Sequence, residues 1–130
     1  MADLSLPFRW QRAAIAFAAL SAGLGVAIAA LNAHLPERFL VQNGREMAQR
    51  AIDMQMWHSL ALLILGLWGA PFVRGIAAGF AAGIVLFCVP VYCLAFRGPD
   101  IAFLAPWGGT TIIVSWLALA FVALRYARRR

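Results

Sequence analysis

Four long apolar runs set the rhythm of this chain, and none of them holds a charged side chain. They cover Ala13–Leu35, Trp57–Val73, Gly75–Phe96 and Trp107–Leu124. A bilayer core of ~30 Å takes about 20 residues of apolar helix, with a range of about 17–25, so each run is long enough to cross. Apolar positions do not alternate with polar ones, as the strands of a membrane barrel would require, and lipid offers no partner for the bare amides of anything but a helix. The pattern predicts an all-α integral membrane protein, a four-helix bundle with antiparallel up-down topology. One domain, residues 1–130, takes up the chain.

The one sizeable polar stretch lies between the first two runs. Pro36 ends the first helix and Asn43-Gly44 is a turn signal. From Arg45 the period is helical again. Glu46, Gln49, Arg50 and Asp53 share one face, with Glu46 and Arg50 paired at four residues, while Met47, Ala51 and Met54 form the other. This reads as an amphipathic turn on the outer surface leading into span two, with Asp53 and Asp100 outside the spans or at the interface. His58 continues the apolar face and is expected to point into the bundle.

Within the spans, small residues recur at helical spacing. Gly75, Gly79 and Gly83 open span three on one face, and Ala19, Gly23, Ala27, Ala30 and His34 line a face of span one. Helices in lipid associate through close backbone approach, so Gly75, Gly79, Gly83, Gly23 and Ala27 are the expected helix-packing positions. A dimer seam is the sharper alternative for them. Pro90 lacks an amide proton and crowds the carbonyl of Leu86, which predicts a kink in span three.

Composition agrees: 64% of residues are hydrophobic, 12% are charged and the mean hydropathy is +0.82. The net charge of +6 and pI near 11.1 do not make this a nucleic-acid binder, because the arginines flank the spans. Arg9, Arg12, Arg74, Arg125, Arg128, Arg129 and Arg130 fall on one side; Arg38, Arg45, Arg50 and Arg97 fall on the other. The positive-inside rule then puts both termini in the cytoplasm. Span one is too long for the core of a cleaved signal peptide, which is typically about 7–15 residues. Trp10, Trp57, Trp107 and Tyr126 fall where an aromatic belt would lie. Cys88 and Cys93 point apart on one helix and read as small apolar packers.

Four short stretches resemble a known family. Ala29-Ala-Leu-Asn-Ala-His-Leu35 is similar to the end of the first helix in domain-of-unknown-function family 423, the YgdD-like and transmembrane protein 256-like small membrane proteins. Ala51-Ile-Asp-Met-Gln-Met-Trp-His-Ser-Leu-Ala-Leu-Leu63 is similar to the start of its second. Gly83–Phe87 with Tyr92, and Pro106-Trp-Gly-Gly109 with Trp116, resemble its third and fourth helices. Asn32 stands where that pattern has a small glycine, Cys88-Val-Pro90 where it has Ser-Gly-Ser, and Ser115 where a glycine precedes the tryptophan. The resemblance implies a four-helix protein of the bacterial inner membrane with no established activity.

Topology then collects polar residues at one end. Asn32 and His34 close span one, His58 opens span two, Tyr92 lies toward the outer end of span three, and Thr110 and Thr111 near the start of span four. This cluster is either a hydrogen-bonded cap that fixes how the helices meet, or a binding site in which His34 and His58, helped by Asn32 and Tyr92, hold haem iron, a soft metal, a quinone or a lipid head group. Two histidines are too few for a structural zinc site. No cofactor is predicted as such; haem or metal at His34 and His58 is the minority alternative. No enzyme is expected, since no hydroxyl has an adjacent base and no carboxylate pair lies within a span. A small transporter would need an intramembrane carboxylate. What remains is an accessory or interaction protein, packing in the bilayer with a larger membrane complex or with copies of itself.

Overall fold

The computed structural model describes residues 6 and 8–127. Arg128, Arg129 and Arg130 of the charge balance, and the Tyr126 side chain of the aromatic belt, lie outside the described residues. Among those residues there is no strand. Four long helices follow one another: α1 (Arg9–His34), α2 (Gly44–Trp68), α3 (Arg74–Ala95) and α4 (Ala105–Ala127). Single 3-10 turns at Glu37–Phe39, Pro71–Val73 and Ala102–Leu104 lie between them. All four helices are long and apolar enough to cross a membrane.

The boundaries of span two differ from the expected ones. α2 begins at Gly44 and not at Trp57, and ends at Trp68 and not at Val73. The polar residues from Arg45 to Asp53 lower the hydropathy without interrupting the backbone, because most of them share one face. At the other end Gly69 takes a left-handed φ of +68°, and Pro71 cannot continue an α-helix, which together stop α2. Two consequences follow. Trp57 sits in the middle of a helix and not near its end. Asp53, expected outside the spans or at the interface, lies within the continuous helix that carries span two, about 22 Å of helix rise from Trp68.

Packing follows chain order. α1 lies on α2, α2 on α3 and α3 on α4, with a lighter contact between α1 and α3. α2 and α3 are therefore the central pair, while α1 and α4 keep most of their span surface outward. Leu62, Leu65, Val73, Ile76, Phe80 and Ile112 form the apolar core. α3 runs on through Pro90, which is buried.

The glycines that pack are only partly those the small-residue stripes suggest. A Cβ on Gly83 would come within 2.5 Å of Ile112 and 3.2 Å of the Gly108 carbonyl, and one on Gly79 would collide with Ser115 Oγ. Gly75 meets nothing within 4 Å. Gly23 also meets nothing within 4 Å, and Ala27 is exposed, so the expected seam of span one faces outward. The buried face of α1 is instead Gln11, Ala18, Ser21, Gly25 and Asn32. Gly25 is the contact glycine there: its Cβ would lie 2.8 Å from the sulfur of Met56.

Candidate functional site

The residues expected to meet at the outer end go to separate places. His34 is the last residue of α1 and is exposed. His58 is buried, at 7% exposure, with its ring tilted against Phe80 and edge-on to Trp116. Its Nδ1 is 2.6 Å from the Met54 carbonyl, a pairing that puts the proton on Nδ1. Asn32 anchors the depth scale, because its Nδ2 donates to the carbonyl of Arg45 at 3.0 Å. The rise along α2 from Arg45 to His58 is about 20 Å, so the two imidazoles do not share a site. Thr110 and Thr111 each donate to the carbonyl four residues back on α4, at 2.8 Å, and add nothing to a cap.

What the fold assembles instead is a ladder of polar contacts between α1 and α2. At the cytoplasm-facing end of the predicted topology, Gln11 Oε1 accepts from the Phe8 amide and Nε2 donates to the Gly66 carbonyl at 2.9 Å. That carbonyl is reachable because residue 66 has no side chain. At mid-depth Gln55, only 3% exposed, donates to the Ser21 carbonyl at 2.7 Å, and Ser59 Oγ donates to Ser21 Oγ at 2.8 Å. The Tyr92 hydroxyl joins from α3, donating to Gln55 Oε1 at 2.7 Å. At the opposite end Arg45 donates to the backbone carbonyls of Asn32 and Leu35, and pairs with Glu37 at 2.8 Å. Those carbonyls are the unsatisfied C-terminal acceptors of α1, so Arg45 caps one helix from the next. Asn32 Oδ1 is the one buried side-chain atom left without a partner among the described residues.

Beside the middle rung, α1 and α3 diverge around a groove of about 330 Å³. Leu24, Ile28, Val89, Ser21, Gln55 and Tyr92 are among the residues that line it. The hydroxyls there bond to each other and to a neutral amide, so none has a base to activate it. Cys88 Sγ contacts the Ala51 carbonyl at 3.4 Å, and both cysteines are free. Among the described residues, no three His, Cys, Asp or Glu side chains gather as a metal set would.

Sequence reasoning reached Asn32 and Tyr92 but missed their partners Arg45 and Gln55, and missed Gln11, Ser21 and Ser59. A usable signal existed. Polar residues inside apolar spans turn toward neighbouring helices, so Gln11, Ser21 and Asn32 mark the inward face of α1.

Known proteins are similar to this chain. The family described as "Protein of unknown function (DUF423)" matches residues 28–109. A UPF0382 membrane protein of Haemophilus influenzae is 31% identical over 79% of this chain and 86% of its own length. One from Staphylococcus epidermidis is 33% identical over 87% of this chain and 96% of its own. The UPF0382 inner membrane protein YgdD of Escherichia coli is 28% identical over 92% and 95%. No solved structure matches the chain. With the family match covering more than half of the sequence and the relatives aligned almost end to end, this small membrane protein belongs to the DUF423 family.

Proposed function

We propose that the chain is a non-catalytic accessory protein of the bacterial cytoplasmic membrane, with both termini in the cytoplasm, acting through contacts of its membrane-embedded sides. One observation carries this reading: the buried polar side chains of the spans bond to each other or to backbone, while the outer helices present wide apolar faces. Leu20 and Val26 on α1, and Leu117 and Phe121 on α4, are all more than half exposed. Little chain stands outside the helices to act on anything in water. The seven arginines on one side against four on the other support the orientation. The naming of the Escherichia coli relative as an inner membrane protein supports the compartment. A redox or ligand-binding subunit built on His34 and His58 draws no support from residues some 20 Å apart in helix rise.

The test is photo-crosslinking in intact cells from single positions on α1 and α4, with reporter tags at both ends. Discrete protein adducts from Leu20 or Leu117, and both tags inside, are the expected result. Adducts to lipid alone from every outward position, or catalytic turnover by the purified protein, would overturn the reading.

A further inference from the structure

The outward face of α2, opposite the groove, changes character along its length. Trp57, Leu60, Ile64 and Leu67 make its inner half, each 47–70% exposed. Glu46, Gln49, Arg50 and Asp53 make its outer half, all exposed. Arg50 donates to Glu46 one turn away, and Gln49 Nε2 donates to Asp53 at 3.0 Å. Asp53 has no cationic partner among the described residues.

Depth makes this polar half anomalous. The Cys88 to Ala51 contact and the approach of Gly44 to the Ala95 carbonyl fix how α2 and α3 run past each other. That register sets Asp53 near Leu86, roughly 18 Å of helix rise above Arg74, inside a hydrocarbon core of ~30 Å. At the same depth α1 turns Val26 outward and α3 turns Val85 outward. Lipid-compatible sides thus flank a carboxylate that faces away from its own bundle. Ionisable residues within spans almost always face protein or a water-filled cavity, and pair there.

We propose that this face of α2 is the self-association surface, where two copies meet with Arg50 of each chain against Asp53 of the other. The inference rests on the accessory reading and adds to it a second copy of the chain on α2, apart from the contacts of α1 and α4. Copies inserted the same way run their α2 helices in parallel, so identical residues share a depth. Arg50 and Asp53 are then about 4.5 Å apart along the axis, within reach of an arginine. A guanidinium has five donors, enough to hold its own Glu46 and the second chain's Asp53 together. Because identical residues share a depth, the attractive pairs across the seam are the diagonal ones, Arg50 of each chain with Asp53 and Glu46 of the other, three and four residues along the axis. Below it, Trp57, Leu60, Ile64 and Leu67 continue the seam at spacings of three and four residues, as parallel helices packing at a shallow angle require.

The experiment uses two full-length charge variants in membranes, each with a different tag. Asp53→Arg gives a face with two arginines, and Arg50→Asp gives one with two aspartates. Each alone is expected to lose self-association about tenfold or more, from like charges juxtaposed in the seam. Coexpressed, they are expected to pair with each other at least as well as the unmodified chain pairs with itself. In the unmodified background Leu60→Cys is expected to form an oxidised dimer of the chain, and Leu117→Cys on α4 is not. Mixed variants that pair no better than either alone would overturn the proposal, as would failure of Leu60→Cys to crosslink to a second copy. A crosslink from residue 60 to a different polypeptide would also overturn it, yet leave the accessory reading standing. No crosslink from residue 60, Leu20 or Leu117 to any protein would remove both.

Discussion

The two outer seams of the bundle are made by different means. α1 is bound to α2 by side-chain hydrogen bonds at three levels, from Gln11, from Gln55 with Ser59, and from Arg45. Among the described residues no side-chain hydrogen bond joins α3 to α4. There the backbones come so close that Gly108 lies against the amide of Phe87, and Gly79 and Gly83 admit Ser115 and Ile112. Lipid is as apolar as leucine, so burial alone gives helices no reason to associate. Directional bonds and close approach are the two remedies, and this chain applies one on each side of its central pair. The difference has a cost profile. A close-approach seam fails abruptly when an atom is added, whereas a bonded seam loses one rung at a time.

Substitutions can break or sharpen that contrast. The largest effect is expected from Gly108→Val, because the new side chain meets the backbone of Leu86 and Phe87 and nothing flexible can yield. A loss of about 3 kcal/mol, the upper part of the overpacking range, is expected in unfolding of the protein in mixed micelles. Gly83→Ala is expected to cost about 2 kcal/mol in the same assay, since Ile112 can shift but the Gly108 carbonyl cannot. Gln55→Leu removes two bonds of the middle rung together, at about 1 kcal/mol, because interhelical hydrogen bonds in membranes average only about 0.6 kcal/mol. Ser59→Ala removes one and is expected to cost about 0.6 kcal/mol. Gly23→Ala and Gly75→Ala meet no neighbour and are expected to leave unfolding unchanged within about 0.5 kcal/mol. Should Gln55→Leu cost more than Gly108→Val, the contrast drawn between the seams would be wrong.

The number of helices and their order were legible because a charge-free run of span length has few alternatives. Their mutual faces were less so. α1 carries small residues on two faces, and Ala19, Gly23 and Ala27 are as small as Ala18, Ser21 and Gly25. Size alone therefore could not choose, whereas the polar Gln11, Ser21 and Asn32 do. The start of α2 was hidden by averaging hydropathy over a helix whose outer half is polar on one side, and its stop at Gly69 was written in the Gly-Ala-Pro that follows Trp68. The histidines misled for a related reason. Placing His58 at the start of span two moved it to the outer end, when it lies in the middle of the helix that begins at Gly44. Its inward direction, against Phe80 and Trp116, was readable from the period alone.

Tying α1 to α2 at both extremities has a mechanical corollary. A slide of one helical turn, about 5.4 Å, would pull Gln11 off Gly66 and Arg45 off the last carbonyls of α1 in a single stroke. Neither pair can compensate for the other, because the shift has the same sense at both. α1 is thereby barred from working as a piston, and any signal crossing the bilayer through it would have to travel as tilt or rotation.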